Sequence, residues 1–465
     1  MEWVFRSAVE MAHAITTGEV SSEEVVLEHL RRIDAVNPAL NAVIERLDDE
    51  ALADARRADE EVRRGKRRGP LHGVPVTLKE SLSIAGKVAS CGSRTLQHNV
   101  ARETATAVTR LRAAGAIPIG RTNLPDMGMN AQTDNLIWGV TRNPWDRTRT
   151  PGGSSGGEAA AIASGMSPLG LGSDVGGSIR TPASFCGILG LKPTQHRVSV
   201  AGHVPLVLPD YLQVGPLARS IDDLEVALGA IAGPDGKQSM VPPVPLPASR
   251  DVRGRGLRIG VLRGTAAAPV AAVVQAGVDA AAGAAVALGH QVEEADFPRP
   301  EDVAPCLSPI FGVGLGGLTR DVRRHPDRYH PYLADLARLL PEPSGAELEE
   351  ALRLREDLRA RMMACFQRHD LLICPQAAVP AFPIGPSVDD VDVDGRKVDL
   401  ITALTYCFLV NATGNPSLAL PVGVAGGLPI GVQLVGGMWE EATIFAAARP
   451  LLEALGGVPR PPKLS

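Results

Sequence analysis

A long run without a charged side chain, from Ile401 to Trp439, limits most strongly what this chain can fold into. A helical membrane span needs about 20 consecutive apolar residues, but this run is broken at Asn411, Pro416, Pro421 and Pro429. Strands that are covered on both faces of a sheet have near-continuous apolar sequences. The run therefore predicts buried strands of a doubly covered sheet and no membrane span.

Apolar strand-like segments alternate with helix-like segments along the rest of the chain. GVPVTL leads directly to Lys79, GLRIGVL follows a proline-rich stretch, and LLICP follows a helical pattern at about 346–368. Ser21 and Glu24 have the spacing of a capping box at the start of an amphipathic helix. Alternating strands and helices are typical of an α/β fold with a largely buried sheet.

Composition shifts divide the chain into four segments. A surface connection is predicted where proline and glycine accumulate. The segments are N-terminal helices at 1–70, a glycine-rich core at 71–232, a Pro/Gly-rich connection at 233–256, and a second half of the same α/β domain at 257–465, whose region at about 300–345 has no clear period.

Charge, cysteine content and the N-terminus argue against several classes of protein. The formal net charge is −5 and no long basic stripe is present, which argues against a nucleic-acid-binding protein. Six cysteines without a CxxC pair argue against a zinc site or a disulfide framework. The first residues lack the basic start and apolar core of a secretory signal. We therefore expect a cytoplasmic protein without a metal or another cofactor.

Residues 150–165, TPGGSSGGEAAAIASG, place two serines among glycines at the start of a predicted helix. Ser154 or Ser155 could cap that helix, and a helix N-terminus could also hold phosphate, although GxxxxGK[ST] is absent. Two glycines precede Ser178 in the following GSDVGGSIRTP. They let several backbone N–H groups point at one spot, as an oxyanion hole requires. A plain turn after a strand explains the same pattern.

An activated serine needs a proton acceptor, and the sequence offers a lysine more readily than a histidine. His72, His98, His196 and His203 lie in turn-like contexts without an obvious orienting group, so we interpret them as structural. Lys79 follows an alternating apolar run. A lysine desolvated there would have a lowered pKa and could accept a proton. A lysine at a strand end with its ammonium in solvent is the alternative.

The stretch GGSSGGEAAAIASGMSPLGLGSDVGGSIRTPASFCGILGLKPT resembles the defining block of the amidase signature family. The resemblance extends to GVPVTLKES, GRTNLPDMGMNAQTDN, NPSLALPVG and LPIGVQLVG, and covers about residues 8–455, least closely at 235–370. It implies an α/β amidase-signature fold with one large mixed β-sheet covered on both faces by helices, in which 71–232 is the catalytic core and about 300–345 is a variable substrate or lid region. The residues of these motifs resemble those of bacterial amidases and of members similar to fatty-acid amide hydrolase more than those of other branches.

The family uses a Ser–Ser–Lys triad, and the resemblance implies a role for each matching residue. Ser178 is the implied nucleophile, Ser154 the bridging serine after a cis peptide bond, and Lys79 the base. The other implied positions are an oxyanion hole at Val175, Gly176, Gly177 and Ser178, supporting residues Ser155, Asp174 and Arg180, and substrate-binding residues Met127, Gly128, Met129 and Gln132.

The resemblance implies a hydrolase that converts a carboxylic acid amide into an acid and ammonia or an amine through an acyl-enzyme. The expected partners are a small-molecule amide and no nucleic acid, with a homodimer as the candidate assembly. One alternative is a glutamine amidotransferase subunit that supplies ammonia to a partner for tRNA-dependent amidation. Others are a catalytically silent binding homologue and a hydrolase with a Ser–His–Asp triad. VSVAGHVPLVLPDYLQVGPLARS departs from what we expect of the amidotransferase subunits.

Overall fold

The computed structural model describes residues 3–385 and 390–462. Residues 1–2 and 463–465, at the outer ends of the first and last predicted segments, and residues 386–389 lie outside the described residues. The strands are β1 (Val43–Arg46), β2 (Pro75–Lys79), β3 (Ile117–Thr122), β4 (Leu169–Asp174), β5 (Leu189–Lys192), β6 (Gln213–Ala218), β7 (Arg258–Val261), β8 (Gln291–Glu294), β9 (Leu371–Pro375), β10 (Val391–Val393), β11 (Arg396–Val398), β12 (Ser417–Ala425) and β13 (Leu428–Gly436).

Helices connect most of these strands, and the capping box predicted at Ser21 and Glu24 is present at the start of α2. The helices are α1 (Ala8–Thr17), α2 (Ser22–Leu40), α3 (Asp48–Arg63), α4 (Thr106–Ala113), α5 (Gly156–Ala163), α6 (Arg180–Cys186), α7 (Ile221–Ile231), α8 (Ala272–Ala287), α9 (Val303–Gly314), α10 (Gly316–Arg324), α11 (Pro331–Leu339), α12 (Gly345–Arg368), α13 (Leu400–Ala403), α14 (Thr405–Thr413) and α15 (Glu441–Ala454).

One mixed sheet joins both halves of the chain. Within the described residues it has 11 strands in the order β1-β3-β2-β4-β6-β5-β12-β13-β9-β7-β8. The pairs of β2 with β3 and β4 are parallel, as are those of β7 with β8 and β9. In the run β4-β6-β5-β12-β13-β9, each strand pairs antiparallel with its neighbour. Helices α6, α7, α8 and α15 pack on the sheet. The predicted α/β fold with a mixed sheet is confirmed, whereas the segment boundaries stay predictions.

The uncharged run forms two kinds of structure. Its second part provides β12 and β13, with β13 buried along its whole length, as predicted. Its first part forms α13 and α14 instead of strands, and most of α14 is buried. A helix surrounded by other elements is as free of charge as a buried strand, so an apolar run alone does not distinguish the two.

The region at 300–345, for which the sequence shows no period, consists mostly of helices α9, α10 and α11. Their buried side chains belong to two clusters beside the large central core, one of which also includes side chains of α12, β9 and α14. Among the described residues, no single helix has the length and apolar character of a membrane span. One pair, Pro300–Gly314 with Gly316–Arg324, meets both criteria only when taken together, and it is bent by 65°.

Candidate active site

The predicted catalytic residues meet at one edge of the sheet. Lys79 ends β2 and Ser173 lies near the end of β4, and these strands are parallel neighbours, so their carboxyl ends share an edge. Ser154 lies just before α5, and Ser178 follows β4. All four side chains line one cavity of about 30 Å³. The structure therefore brings the predicted nucleophile, bridging serine and base together.

Lys79 is a buried lysine with two serine partners. Its side chain is almost fully enclosed, with 1% of the residue exposed. Nζ lies 2.6 Å from Ser154 Oγ and 3.0 Å from Ser173 Oγ. Burial lowers the pKa of Lys79 to about 8, although nearby acidic groups, Cys91, Asp174 and Glu158, act to raise it. At pH 7 about a tenth of Lys79 is therefore the neutral amine, which is the form that accepts a proton.

The two adjacent serines are held by bonds other than a helix cap. Ser155 occupies the N-cap position of α5 but makes no side-chain capping bond. Its hydroxyl instead donates to the Ser173 carbonyl oxygen at 3.3 Å and accepts from the Ser173 N–H at 3.4 Å. The peptide bond between Gly153 and Ser154 is cis, as the family resemblance implied. The side-chain bonds of Ser155 therefore attach the start of α5 to the end of β4.

The Asp174 carboxylate organises the loop that carries the nucleophile. It accepts hydrogen bonds from the Gly177 N–H at 2.8 Å and the Ile179 N–H at 3.1 Å. Arg180 donates to both of its oxygens, at 3.1 and 3.0 Å. Burial alone would raise the pKa of Asp174, but the charge of Arg180 and these hydrogen bonds hold it well below the usual range. Asp174 is therefore an anion that fixes the turn around Ser178.

The hydrogen bonds of Asp174 involve one of the predicted oxyanion-hole donors. The Gly177 N–H already donates to Asp174, which leaves the N–H groups of Val175, Gly176 and Ser178 as donors toward a substrate. Gly177 has a φ of 111°, a conformation that L side chains rarely adopt. A Cβ on Gly176 would overlap a ring carbon of Phe408. Both glycines are thus required by geometry, and the assignment of the oxyanion donors stays a prediction.

Arg180 has buried partners that the sequence analysis missed. Its guanidinium donates to Gln433 Oε1 at 2.8 Å, to Asn411 Oδ1, and to the Cys407 carbonyl oxygen at 3.2 Å. Asn411 and Gln433 are polar residues inside the uncharged run. A polar side chain in a buried run needs a hydrogen-bond partner, so their presence there was a usable signal.

Three of the four predicted substrate-binding residues lie at the cavity. Met127, Gly128 and Met129 line it, and Met127 has a φ of 56°. Gln132 does not line it, because its Oε1 accepts a hydrogen bond from the Gly385 N–H at 3.0 Å. Much of the remaining lining is apolar, with contributions from Leu124, Val175, Pro205, Val207 and Leu212.

Several polar groups at the site were not anticipated. Ser81, Cys91 and His203 line the cavity, and His203 Nε2 lies 2.9 Å from Ser173 Oγ. His203, which we interpreted as a structural residue, therefore lies at the site. An isolated bridge pairs His203 with Leu82, just beyond Lys79. That pairing spans more than a hundred residues, so no local sequence pattern indicates it.

Glu158 is a buried carboxyl group near Lys79. It lies in α5 and accepts hydrogen bonds from the Thr77 hydroxyl and, at 2.8 Å, from the Thr122 hydroxyl. Burial raises the pKa of Glu158 to about 7, while these two hydrogen bonds and the charge of Lys79 act to lower it.

Among the described residues, no group of three His, Cys, Asp or Glu side chains could hold a metal ion.

Comparisons with known proteins agree with this geometry. The family model described as Amidase matches residues 24–445. A glutamyl-tRNA(Gln) amidotransferase subunit of Synechococcus sp. (strain CC9605) is 35% identical, over 95% of this chain and 94% of that protein. A solved structure from a vestigial protein complex related to the origins of an s-triazine catabolic enzyme is 34% identical, with a TM-score of 0.89 over 97% of this chain and 99% of that chain. A bacterial aryl acylamidase of the amidase signature family is 26% identical, with a TM-score of 0.89 over 98% and 97%.

These relatives correct the expected partners. The Synechococcus protein is named as one subunit of an amidotransferase of glutamyl-tRNA(Gln). The expectation of a small-molecule amide, no nucleic acid and a homodimer is wrong as a complete set of partners, because the name of the Synechococcus protein refers to a charged tRNA and to one subunit of an assembly. The absence of a basic stripe led to that expectation. Net charge describes the surface of a single chain and carries no information on what a partner subunit binds.

Proposed function

The chain belongs to the amidase family, whose members act on amide C–N bonds, and we propose that it cleaves a carboxylic amide through an acyl-enzyme on Ser178. One observation carries the proposal. Lys79 Nζ lies 2.6 Å from Ser154 Oγ, in a cavity that Ser178 also lines. A buried amine in contact with a hydroxyl is the arrangement that passes a proton from a serine to a base.

Acylation begins with the neutral Lys79 amine. The amine takes the proton of the Ser154 hydroxyl as Ser154 Oγ takes the proton of the Ser178 hydroxyl. Ser178 Oγ then forms a bond to the carbonyl carbon, and the carbonyl oxygen becomes an oxyanion. When the C–N bond breaks, Ser154 gives its proton to the leaving nitrogen and recovers one from the Lys79 ammonium. The products of this half-reaction are an ester on Ser178 and free ammonia or an amine.

Deacylation uses the same residues with water as the nucleophile. Water loses a proton to Ser154, and through it to Lys79, as its oxygen attacks the ester carbon. The bond to Ser178 Oγ then breaks, and the proton returns to that oxygen. The backbone N–H groups of Val175, Gly176 and Ser178 are the proposed donors to the oxyanion in both half-reactions. Donors fixed in advance stabilise developing charge without reorganisation, and the hydrogen bonds to Asp174 fix this loop.

We further infer that this chain is the ammonia-releasing subunit of an amidotransferase. The amide would then be the side chain of glutamine, and a partner chain would use the ammonia on a tRNA-bound carboxylate. The support is the similarity to the Synechococcus glutamyl-tRNA(Gln) amidotransferase chain over 95% of this protein. Further support is the similar solved structure at 34% identity, which comes from a protein complex.

The cavity lining favours a second candidate, the hydrolysis of an apolar acyl amide. Apart from Lys79 and His203, the lining residues are apolar or uncharged. A buried charge without a partner is costly, so the charged groups of glutamine would have to lie outside this cavity. The similar fold of the bacterial aryl acylamidase supports this candidate.

Ammonia and acid release distinguish the two candidates. The chain would be purified from its native host with any bound partners, then assayed with glutamine and with an apolar amide such as benzamide. If the chain belongs to an amidotransferase, it hydrolyses glutamine, and faster when its partner chain is present. Cleavage of benzamide without glutamine hydrolysis would favour the second candidate. Full activity of Ser178→Ala on either amide would refute the acyl-enzyme itself.

A further inference from the structure

His203 reaches the cavity from a segment that follows β5. An antiparallel bridge pairs it with Leu82, and the adjacent Val204 N–H donates to the Ser81 carbonyl oxygen at 2.8 Å. The imidazole is thereby held beside the end of β2, where Lys79 lies. Its position is fixed by backbone pairing, independently of any substrate.

The hydrogen bonds of His203 fix its tautomer. Nδ1 lies 3.0 Å from the Pro205 carbonyl oxygen, and a carbonyl oxygen accepts hydrogen bonds only, so Nδ1 carries a hydrogen. Burial, followed by the positive charge of Lys79, lowers the pKa of His203 to about 3, so the ring is neutral at ordinary pH. Nε2 therefore presents a lone pair. Because it lies 2.9 Å from Ser173 Oγ, it accepts the Ser173 hydroxyl hydrogen.

This direction determines what Ser173 can offer to Lys79. A serine hydroxyl has one hydrogen to donate and two lone pairs. With that hydrogen committed to His203, Ser173 Oγ accepts an N–H of Lys79 at 3.0 Å. A neutral amine has two N–H groups and one lone pair. When one N–H points at Ser173, the lone pair remains available to the Ser154 hydroxyl, 2.6 Å away.

We propose that His203 is a positioning residue of the proton relay, which holds the Ser173 hydroxyl as an acceptor so that the Lys79 lone pair faces Ser154. The inference rests on the acyl-enzyme mechanism proposed above. Without an acceptor at the position of Nε2, the Ser173 hydroxyl can turn and donate to the Lys79 lone pair. Ser173 then competes with Ser154 for the atom that must receive the proton.

The groups that face Lys79 define what a pH measurement reports. They are Cys91, Asp174 and Glu158, whose negative charges would favour the ammonium, together with the neutral His203. Cys91 has a pKa well above its usual value because of burial, and Asp174 stays ionised. Glu158 titrates near 7, so its step is present in every variant compared below. Differences between variants therefore isolate the contribution of His203.

The first test compares His203→Leu with His203→Gln. Leu removes the acceptor, so the alkaline plateau of kcat should fall about tenfold, the rate equivalent of one hydrogen bond. The Ser173 hydroxyl would also stabilise neutral Lys79. The pKa of Lys79 should therefore fall, and the acid limb of kcat/KM should shift to lower pH by about half a unit to one unit, the size expected of one hydrogen bond. Gln offers an amide oxygen near the position of Nε2 and should remain within about threefold of the wild type.

The second test removes the competing hydroxyl. In the double variant Ser173→Ala with His203→Leu, no serine hydrogen can occupy the Lys79 lone pair. The double variant should therefore be at least severalfold faster than His203→Leu alone, although two contacts are missing. A role for His203 in stability alone predicts no such recovery, because the rate per reactive site would then not depend on whether Ser173 can donate to Lys79.

Active-site titration with a fluorophosphonate normalises each rate to the folded, reactive fraction. His29→Leu is the matched control, because His29 is a fully buried histidine and its Nδ1 contacts the Val25 carbonyl oxygen within α2. Its normalised rate and acid limb should equal those of the wild type. Wild-type values for His203→Leu, with Ser178→Ala inactive, would overturn this inference and leave the proposed function intact. An active Ser178→Ala would overturn both.

Discussion

The backbone N–H of Ser155 donates a hydrogen bond to the carbonyl oxygen of Ser178 at 3.0 Å. This bond joins the loop of the bridging serine directly to the loop of the nucleophile, and the Ser155 hydroxyl adds a second attachment through the Ser173 backbone. Ser154 and Ser178 therefore belong to one fixed unit, and Lys79 contacts that unit from the end of β2.

The acid limb of kcat/KM should follow the titration of Lys79. The pKa of Lys79 is lowered to about 8, and the ammonium cannot accept a proton. Activity should rise as the pH increases through about 8, and at pH 6 it should be about a hundredfold below the alkaline plateau. Initial rates from pH 5.5 to 10 measure this limb. A profile that is flat from pH 6 to 9, or that falls in this range, would contradict the role of Lys79.

Replacing Lys79 with Met should abolish most activity while preserving the apolar stem of the side chain. Loss of one member of a catalytic triad leaves only the residual rate from the remaining groups, so we expect kcat to fall by at least about a thousandfold. Lys237→Met is the control, because Lys237 forms an exposed ion pair with Glu103. Comparable kcat values for the two variants would exclude Lys79 as the base.

Asp174→Asn should destabilise the fold as well as the site. The change leaves the fully buried Arg180 without its carboxylate partner, and such an uncompensated charge costs about 3–5 kcal/mol in the free energy of unfolding. Asp370→Asn breaks a more exposed pair with Arg258 and should cost only about 1 kcal/mol or less. Urea unfolding of both variants measures the difference, and equal losses would show that the Asp174–Arg180 pair has no special role.

Gly176→Ala should displace the nucleophile loop or the helix that faces it. The new Cβ would overlap Phe408 Cε1, which requires movement of the ring or of the backbone. We expect kcat to fall at least about tenfold, since the neighbouring N–H groups must point at the oxyanion. In the control, Gly229→Ala, the new Cβ has nothing within 4 Å and should stabilise α7 by up to about 1 kcal/mol. Unchanged kcat for Gly176→Ala would show that this loop tolerates displacement.

Local patterns in the sequence were sufficient to predict the strands of the sheet and to make Lys79 a candidate base beside a strand-end alternative. The strand ending at Lys79, the buried β9 and the capped α2 each follow from side-chain periodicity over a few residues. Resemblance to a family, rather than periodicity, identified Ser154 and Ser178. Gln132 follows the cavity residues by a few positions, yet its side chain binds Gly385 across the fold. Adjacency in sequence did not determine which way that side chain points.

The contacts that could not be predicted connect distant parts of the chain. His203 meets Ser173 through a bridge to Leu82, and Asn411 and Gln433 reach Arg180 from the C-terminal half. Each contact depends on the order of strands in the sheet, which a single sequence does not reveal. The helix α14 was predicted as part of a buried strand region for a related reason. Burial on all sides removes the polar face that distinguishes an amphipathic helix.

Covalent trapping tests the acyl-enzyme most directly. The wild-type protein would be treated with a fluorophosphonate, and intact mass followed by peptide mapping would locate the adduct. We predict one adduct per chain, on Ser178, with none on the Ser178→Ala variant and slow labelling of Lys79→Met. An adduct on Ser154, or a wild-type protein that hydrolyses amides without labelling, would contradict the assignment of Ser178 as the nucleophile.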